Sequence, residues 1–312
     1  MDTQSEKAQR LAPLVEKRRR EVWPGYTGLG EYHDGAYEGD YVCPYSKSAC
    51  NLDAPVMVLL QDWISHDAIS QPIDPDMVRH GQLPKLATNR NLKRLLMQTF
   101  GLSLADIYAT DLFPFVKPGG MSSRIPAAHL RRAAREFALP QIEVVAPALV
   151  ICLGLATFNA LREACGLKSV RPLDAAIEQP FGWRNSRIWC QAHTGGMGFN
   201  NRSRGDPGRV AGDWRRMRDS MAAESLRAVG DDRVSGALHP PIATSSSPAP
   251  TAQAQKACRI CGRRLPASEF VYGNQVDRSY CRSCNKLERA AYACGGRAEA
   301  QAFRESQRRL WR

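Results

Sequence analysis

Four cysteines near the end of the chain have the spacing of a metal site. They form two Cys-x₂-Cys pairs, Cys258 with Cys261 and Cys281 with Cys284, and nineteen residues separate the pairs. Two such pairs can close a tetrahedral thiolate site, and a segment this short needs a metal to hold it folded. We therefore predict a structural Zn²⁺ here, with a redox pair or chance spacing as the alternative.

The same segment is strongly basic. Residues 257–312 contain twelve Lys and Arg against five Asp and Glu, and they hold most of the +12 net charge of the 312-residue chain. Concentrated positive charge favours a polyanionic partner, nucleic acid first, whereas a solvated charged surface is the alternative. The helix predicted after Cys284 would supply salt-dependent, sequence-independent affinity through its Arg and Lys side chains.

A second pair of reactive side chains lies earlier in the chain. Asp62 carries a carboxylate and His193 an imidazole, and each follows a short apolar run. A carboxylate can orient an attacking water and stabilise a cation, and an imidazole can donate a hydrogen bond to a developing anion. The alternatives are a helix cap or loop carboxylate for Asp62 and a structural role for His193.

Four apolar runs and the helical segments between them must position these side chains. Continuous apolar runs separated by helix-period segments are typical of parallel strands buried on both faces. The sequence therefore predicts a three-layer α/β/α sandwich around a four-stranded parallel sheet, with polar residues meeting beyond the carboxyl ends of the strands. The predicted strands are 56–60, 107–112, 149–153 and 187–192, and the predicted helices are 91–100, 126–145, 156–165 and 207–227.

The segments at these strand ends resemble the motifs of the uracil-DNA glycosylase superfamily. Val58-Leu-Leu-Gln-Asp-Trp63 is similar to its water-activating motif, and Ala109-Thr-Asp-Leu112 is similar to its base-reading motif. Leu139–Leu161 is similar to its passage of helix, strand, Leu-Gly and helix. Ala192-His-Thr-Gly-Gly-Met197 resembles its closing histidine loop. The resemblance covers about residues 40–220 and rests on the order and placement of the motifs.

The resemblance implies a DNA glycosylase that flips a nucleotide out of the duplex and hydrolyses its N-glycosidic bond, leaving an abasic site. Asp62 would position the water, and His193 would stabilise the leaving base as a hydrogen-bond donor. The residues expected to contact the base are Gln61, Trp63, Asp111 and Phe113. The residues expected to contact DNA are Met197, Phe199, Asn201 and Arg202. Met197 would be the apolar wedge that fills the gap in the duplex, unless it packs back on the protein.

Two departures from the family pattern favour a base other than uracil. Asp111 stands where an asparagine reads uracil, and a carboxyl group suits the exocyclic amine of cytosine, unless Asp111 is a structural cap. Residues 65–75 lack the aromatic side chain that stacks on the base in the family. We therefore predict excision of a modified cytosine, including the hypermodified cytosines of phage DNA in antiviral defence. Uracil repair and a catalytically silent DNA-binding adaptor are the alternatives.

The cysteine module also resembles a known group. Cys258–Asn285 is similar to the zinc-binding half of phage recombination endonuclease VII, but the histidine-rich nuclease part is missing. An accessory DNA-binding domain at 257–312 is therefore expected. A Pro-, Ser- and Ala-rich segment at 229–256 predicts a flexible linker between this domain and a catalytic domain at 1–228.

Composition and the remaining motifs exclude several other classes. A chain with 43% hydrophobic and 24% charged residues is globular. No apolar run reaches the ~18–20 residues of a membrane span, and the N-terminus has no apolar secretory segment. Cys43 and Cys50 lack the second cysteine pair of an iron–sulfur site, so no cluster is expected.

The sequence also predicts what the enzyme does not do after base release. No lysine follows a predicted strand closely enough to act as an amine nucleophile, so the enzyme is expected to be a monofunctional hydrolase without lyase activity. We expect a cytoplasmic, nucleoid-associated monomer that binds double-stranded DNA and no membrane.

Overall fold

The computed structural model describes residues 2–234, 255–270 and 280–309. The chain divides into two compact units, Met1–Val234 and Ser235–Arg312. Of the linker expected at 229–256, residues 229–234 continue a long helix, and residues 235–254 lie outside the described residues.

A mostly parallel sheet forms the centre of the first unit. Its strands are β1 (Val56–Asp62), β2 (Tyr108–Phe113), β3 (Leu149–Leu153), β4 (Phe181–Trp183) and β5 (Ser186–Gln191), in the order β2-β1-β3-β5-β4. Strands β1, β2, β3 and β5 are parallel and correspond to the four predicted strands. The prediction of four strands is wrong, because β4 pairs antiparallel with β5 and adds an edge. Three residues are too few to form an apolar run that sequence reasoning detects.

Helices surround this sheet. They are α1 (Gln4–Arg20), α2 (His66–Ile69), α3 (Pro75–His80), α4 (Ala87–Phe100), α5 (Ala127–Ala133), α6 (Leu139–Val145), α7 (Leu155–Ala164), α8 (Leu173–Ile177), α9 (Gly196–Ser203) and α10 (Arg209–Val234). A π-helical turn, Ala134–Ala138, joins α5 to α6, so the helix predicted over 126–145 contains one wide turn. None of the helices in the described part of the chain combines the length and the apolar character that a membrane crossing requires.

Both faces of the sheet are packed, as the alternation of β1 shows. Met57 and Leu59 belong to an apolar cluster that includes Phe137 beside α5 and Phe158 of α7. Val58 and Leu60, the intervening residues, belong to a second cluster built with α4 and α10. A strand buried on both faces reads as a continuous apolar run, which is the pattern that predicted it.

The second unit is small and is built around the cysteines. Its described elements are an antiparallel pair, β6 (Gln255–Ala257) and β7 (Arg264–Pro266), and the helix α11 (Arg282–Arg309). Phe270 is fully buried against the cysteines. Among the described residues of this unit, few apolar side chains besides the cysteines are buried, and a metal bound by the cysteines would add stability.

Candidate active site and metal site

A cleft of about 740 Å³ lies at the carboxyl ends of the parallel strands. Asp62 is the last residue of β1, and His193 follows the end of β5 at Gln191. Strand β3 lies between these two strands in the sheet, and its continuation into α7 supplies Leu155 to the wall. The parallel arrangement therefore brings Asp62 and His193, which are far apart in the sequence, to one cleft.

Asp62 is held through both of its carboxylate oxygens. The Gln61 side-chain amide donates to Oδ1 at 2.7 Å, and the Lys117 ammonium lies 2.8 Å from Oδ2. The side chains of Asp62 and Lys117 are only 6% and 4% exposed, so their ion pair is almost fully shielded from water. Gln61 also lines the cleft, and its side-chain amide contacts the carboxylate itself; its predicted contact with the base stays a prediction.

Lys117 is a residue of this cleft that sequence reasoning missed, and the expectation of no lysine near a strand end is wrong. The chain stays extended after β2, where Val116 forms a bridge with Thr27 and Lys117 forms one with Ser65. The His66 N–H donates to the Lys117 carbonyl at 2.8 Å, which holds Lys117 beside the end of β1. The apolar residues Phe-Pro-Phe-Val before Lys117 were the sequence signal that the buried segment continues past β2. The structure buries all of them together with Lys117.

His193 has a fixed tautomer. The Gly195 N–H donates to its Nδ1 at 2.9 Å, so Nδ1 is an acceptor and the ring proton resides on Nε2. Burial lowers the pKa of His193; the nearby charge of Asp62 opposes this effect, and that of Lys117 adds to it. At neutral pH the ring is therefore an uncharged Nε2–H donor.

Glycines allow α9 to begin directly against His193. A Cβ atom at Gly195 would lie 2.8 Å from the His193 Nδ1, and one at Gly198 would lie 2.6 Å from the His193 carbonyl oxygen. Closely spaced glycines such as those after His193 are typical of a loop. The structure instead makes residues 196–203 a helix, and two of these glycines provide close packing on His193.

Three of the four residues predicted to contact DNA are accessible on α9. Met197 is 79% exposed in the first turn, and Asn201 is also exposed. Phe199 is half-buried, and the guanidinium of Arg94 lies 5.3 Å from the centre of its ring. An exposed methionine at this position is compatible with the predicted wedge, which stays a prediction.

Arg202 does not fit the expected role. Its side chain is 6% exposed, and its Nε donates to an Asp213 carboxylate oxygen at 2.7 Å. A second ion pair joins Arg202 to Asp174. These ion pairs attach α9 to its neighbours and leave the guanidinium unavailable to a phosphate. The sequence could not show them, because both partners lie on other elements.

Two of the residues expected to contact the base are not part of the cleft wall. The Trp63 indole N–H donates to the Gly81 carbonyl at 2.8 Å, and its ring packs edge-on against Tyr37. Phe113 is fully buried and packs against the rings of Trp23 and Tyr26. Both therefore serve the packing of the fold in this structure.

Asp111 is also enclosed. Its side chain is fully buried, the Cys43 thiol donates to Oδ2 at 2.5 Å, and Oδ1 has no hydrogen-bond partner among the described residues. Burial raises the pKa of Asp111 to about 7; the Cys43 hydrogen bond opposes the rise, and the charge of Asp62 adds to it. The carboxyl group is thus poised between protonated and charged forms near neutral pH.

The outer wall of the cleft is polar and basic. Arg124 and Arg171 are exposed along it, and neither forms an ion pair with any residue that the structure describes. The hydroxyl groups of Ser122, Ser123 and Ser169 lie on the same wall. Guanidinium and hydroxyl groups are the usual partners of DNA phosphates, and the two arginines are further candidates that sequence reasoning missed.

The second unit brings all four predicted cysteines together. Cys258, Cys261, Cys281 and Cys284 are buried, and their Sγ atoms all lie within 4.8 Å of one another. The Cys281 N–H donates to the Cys258 sulfur at 3.3 Å, as is usual around metal-bound thiolates. Four converging sulfurs could bind a metal such as zinc.

Comparison with known proteins adds no family. No protein-family model matches the chain, and a search of curated proteins gives no match. Function is therefore inferred from the cleft and from the cysteine cluster.

Proposed function

We propose that this protein is a DNA glycosylase that flips a pyrimidine-type base into the cleft and hydrolyses its N-glycosidic bond. The observation that carries this proposal is the position of Asp62 and His193, a carboxylate and a neutral imidazole donor, on the same cleft. Their order along the chain and their strand-end positions agree with the resemblance to the uracil-DNA glycosylase superfamily.

The two side chains match the charges that develop during base release. Breaking the bond leaves positive charge on the sugar and negative charge on the base. The Asp62 carboxylate stabilises the sugar cation and orients the water that attacks C1′, while the His193 Nε2–H donates to the leaving base. Because Gln61 and Lys117 already fix the carboxylate, little reorganisation is needed when the charge appears.

Residues around the cleft are suited to holding the flipped nucleotide. Met197 is exposed close to His193 in the sequence and provides the apolar wedge. Arg124 and Arg171 provide positive charge for the phosphates beside the extruded sugar. Arg202 is not included in this interface, because its guanidinium is buried in ion pairs.

A modified cytosine is the substrate class that we favour. The cleft volume of about 740 Å³ leaves room beside a pyrimidine ring for a bulky substituent, and serine hydroxyls on its wall can bond to a polar one. This supports action on hypermodified foreign DNA over uracil repair. Asp111 is given no base contact, since it is buried and does not line the cleft.

The second unit completes the proposal as a zinc-stabilised DNA-binding accessory. Its four cysteines would hold Zn²⁺, and Arg289 on α11 is exposed. Lys and Arg side chains on such a module add affinity for the phosphate backbone without reading the sequence. Its connection to the first unit would raise the local concentration of the cleft on DNA.

Substitution of Asp62 tests the catalytic assignment. We expect Asp62→Asn to lower the single-turnover rate of base release at least about 100-fold, since the amide cannot stabilise the sugar cation or activate water. DNA affinity should change little. The measurement uses duplexes that carry uracil, cytosine or a bulky 5-substituted cytosine, with abasic sites revealed by alkaline cleavage.

Asp76→Asn is the matched control, because Asp76 is an exposed carboxylate on α3 outside the cleft. It should retain the full rate. Release of uracil alone would favour repair over the modified-base proposal. Wild-type protein that binds all three duplexes and releases no base would contradict the proposal and favour a silent adaptor.

A further inference from the structure

An almost buried amine lies in the cleft beside the carboxylate. The Lys117 Nζ is 2.8 Å from Asp62 Oδ2 and donates to the Met121 carbonyl at 2.7 Å. These are two of the three N–H donors of the ammonium. Base hydrolysis as described above needs no amine, so the mechanism leaves Lys117 with only a positioning role.

We propose that the cleft also has abasic-site lyase activity, with Lys117 as the amine nucleophile. The inference rests on the proposed function, because the abasic site left by base release would be its substrate. It replaces the expectation of a strictly monofunctional enzyme, which depended on the absence of a lysine near the strand ends.

The position of Lys117 follows from that of Asp62. A water held by Asp62 for attack on C1′ bridges the carboxylate and the sugar through contacts of about 3 Å each. Nζ lies 2.8 Å from the same carboxylate and Lys117 lines the same cleft, so we infer that the amine reaches C1′ after the base has left. His193 contacts the departing base in the proposed reaction and takes no part in this step.

The chemistry balances with the groups present. Lys117 passes a proton to Asp62, and the neutral amine adds to the aldehyde carbon C1′ of the ring-opened abasic site. Asp62 returns that proton to the hydroxyl group of the carbinolamine, which leaves as water and gives an iminium ion beside a free carboxylate. Loss of a C2′ proton to the carboxylate or to water then breaks the C3′–O bond, and the 5′-phosphate end of the strand departs. Hydrolysis of the iminium regenerates Lys117, so no oxidant or reductant is consumed.

Borohydride trapping on a preformed abasic duplex tests the inference. Reduction of the iminium should give a covalent protein–DNA adduct on a denaturing gel, and peptide mapping of the wild-type adduct should place the DNA on Lys117. Lys117→Arg keeps the ion pair with Asp62 but cannot form an iminium, so adduct yield and strand cleavage should fall at least about 100-fold.

Lys85→Arg is the control, since Lys85 is an exposed lysine of the same unit outside the cleft. It should trap as the wild type does. An adduct that persists in Lys117→Arg, or that maps to another amine, overturns the inference, and so does the lack of any adduct with the wild-type protein.

The preformed abasic duplex separates this inference from the glycosylase proposal. Wild-type protein that releases a base but forms no adduct overturns the lyase step and leaves the glycosylase in place. An adduct on Lys117 together with no base release from any duplex supports the lyase chemistry and contradicts the glycosylase proposal.

Discussion

At the scale of single residues, the buried carboxyl group of Asp111 destabilises the folded protein when it is charged. Its carboxyl group is fully buried with one oxygen unpartnered among the described residues, and burial raises its pKa to about 7. The ordinary pKa of an aspartate in an unfolded chain is far lower. The native state therefore binds the carboxyl proton of Asp111 more tightly than the unfolded state does.

The sign of the pH dependence follows from that difference. Because the folded pKa is raised, the contribution of Asp111 to stability is most favourable below about pH 4 and is lost as the pH rises to about 7. Asp111→Asn removes the titration. We expect the variant to gain about 2–4 kcal/mol over the wild type across this interval, at about 1.4 kcal/mol per pH unit, with a constant difference above pH 8.

Urea denaturation of both proteins at a series of pH values measures this gain. Asp76→Asn, an exposed aspartate, serves as the control and should show no growing difference from the wild type. A stability gap between Asp111→Asn and the wild type that stays flat from pH 4 to pH 8 would contradict the assigned cause.

Sequence reasoning recovered the residues of this site unevenly. Asp62 and His193 were identifiable because each lies within two residues of the end of an apolar run, and parallel strands bring such positions together. Lys117 was not, because it reaches the cleft through bridges of an irregular segment beyond β2. Arg202 was misassigned, since an arginine on a glycine-rich segment looks exposed until its buried partner Asp213 is known.

At the scale of elements, the start of α9 determines where His193 sits. The helix packs on His193 without a Cβ atom at Gly198, where a methyl group would meet the backbone carbonyl oxygen of His193 at 2.6 Å. A backbone atom cannot move aside as the end of a flexible side chain can. The first turn of the helix and the His193 imidazole are therefore positioned together.

A side chain at position 198 should therefore displace the first turn of α9 and the His193 imidazole. We expect Gly198→Ala to slow base release about tenfold or more, because a small misplacement of a catalytic group is costly. Gly196→Ala is the matched control: a Cβ atom there meets nothing within 4 Å, so activity should persist. Single-turnover rates and melting temperatures of the two variants provide the comparison; equal rates would show that α9 does not position His193.

The elements themselves were largely predictable. Each parallel strand contains a short apolar stretch, which identified β1, β2, β3 and β5. Strand β4 escaped because it has three residues, one of them the exposed Gly182. The helix α9 escaped because its glycines are typical of a loop, whereas close packing on His193 requires one of them, Gly198.

At the scale of the whole molecule, the concentrated positive charge and the proposed catalytic cleft belong to different parts of the chain. The cleft belongs to the first unit, while the segment 257–312 holds most of the +12 net charge of the chain. Non-specific DNA affinity depends on the number of phosphates that basic side chains neutralise, and base hydrolysis does not. The two functions should therefore be separable.

Deletion of residues 257–312 should weaken DNA binding and flatten its dependence on salt, with base release retained at high enzyme concentration. Fluorescence anisotropy across a salt series measures the change in binding. A truncated protein without activity at saturating concentration would contradict an accessory role.

The four cysteines predict the metal content of the protein. Elemental analysis should find one zinc per full-length chain, and Cys281→Ser should lose the metal and reproduce the binding defect.

The bond from the Gly195 N–H to the His193 ring has one more consequence. With Nδ1 occupied, the imidazole has no route for relaying a proton from solvent through the ring. Under the proposed function, the excised base then departs as an anion that accepts a hydrogen bond from the Nε2–H, so the acidity of the leaving base affects the rate of its release. Pyrimidines whose 5-substituents withdraw electrons are more acidic leaving groups, and they should therefore be released faster than unmodified cytosine.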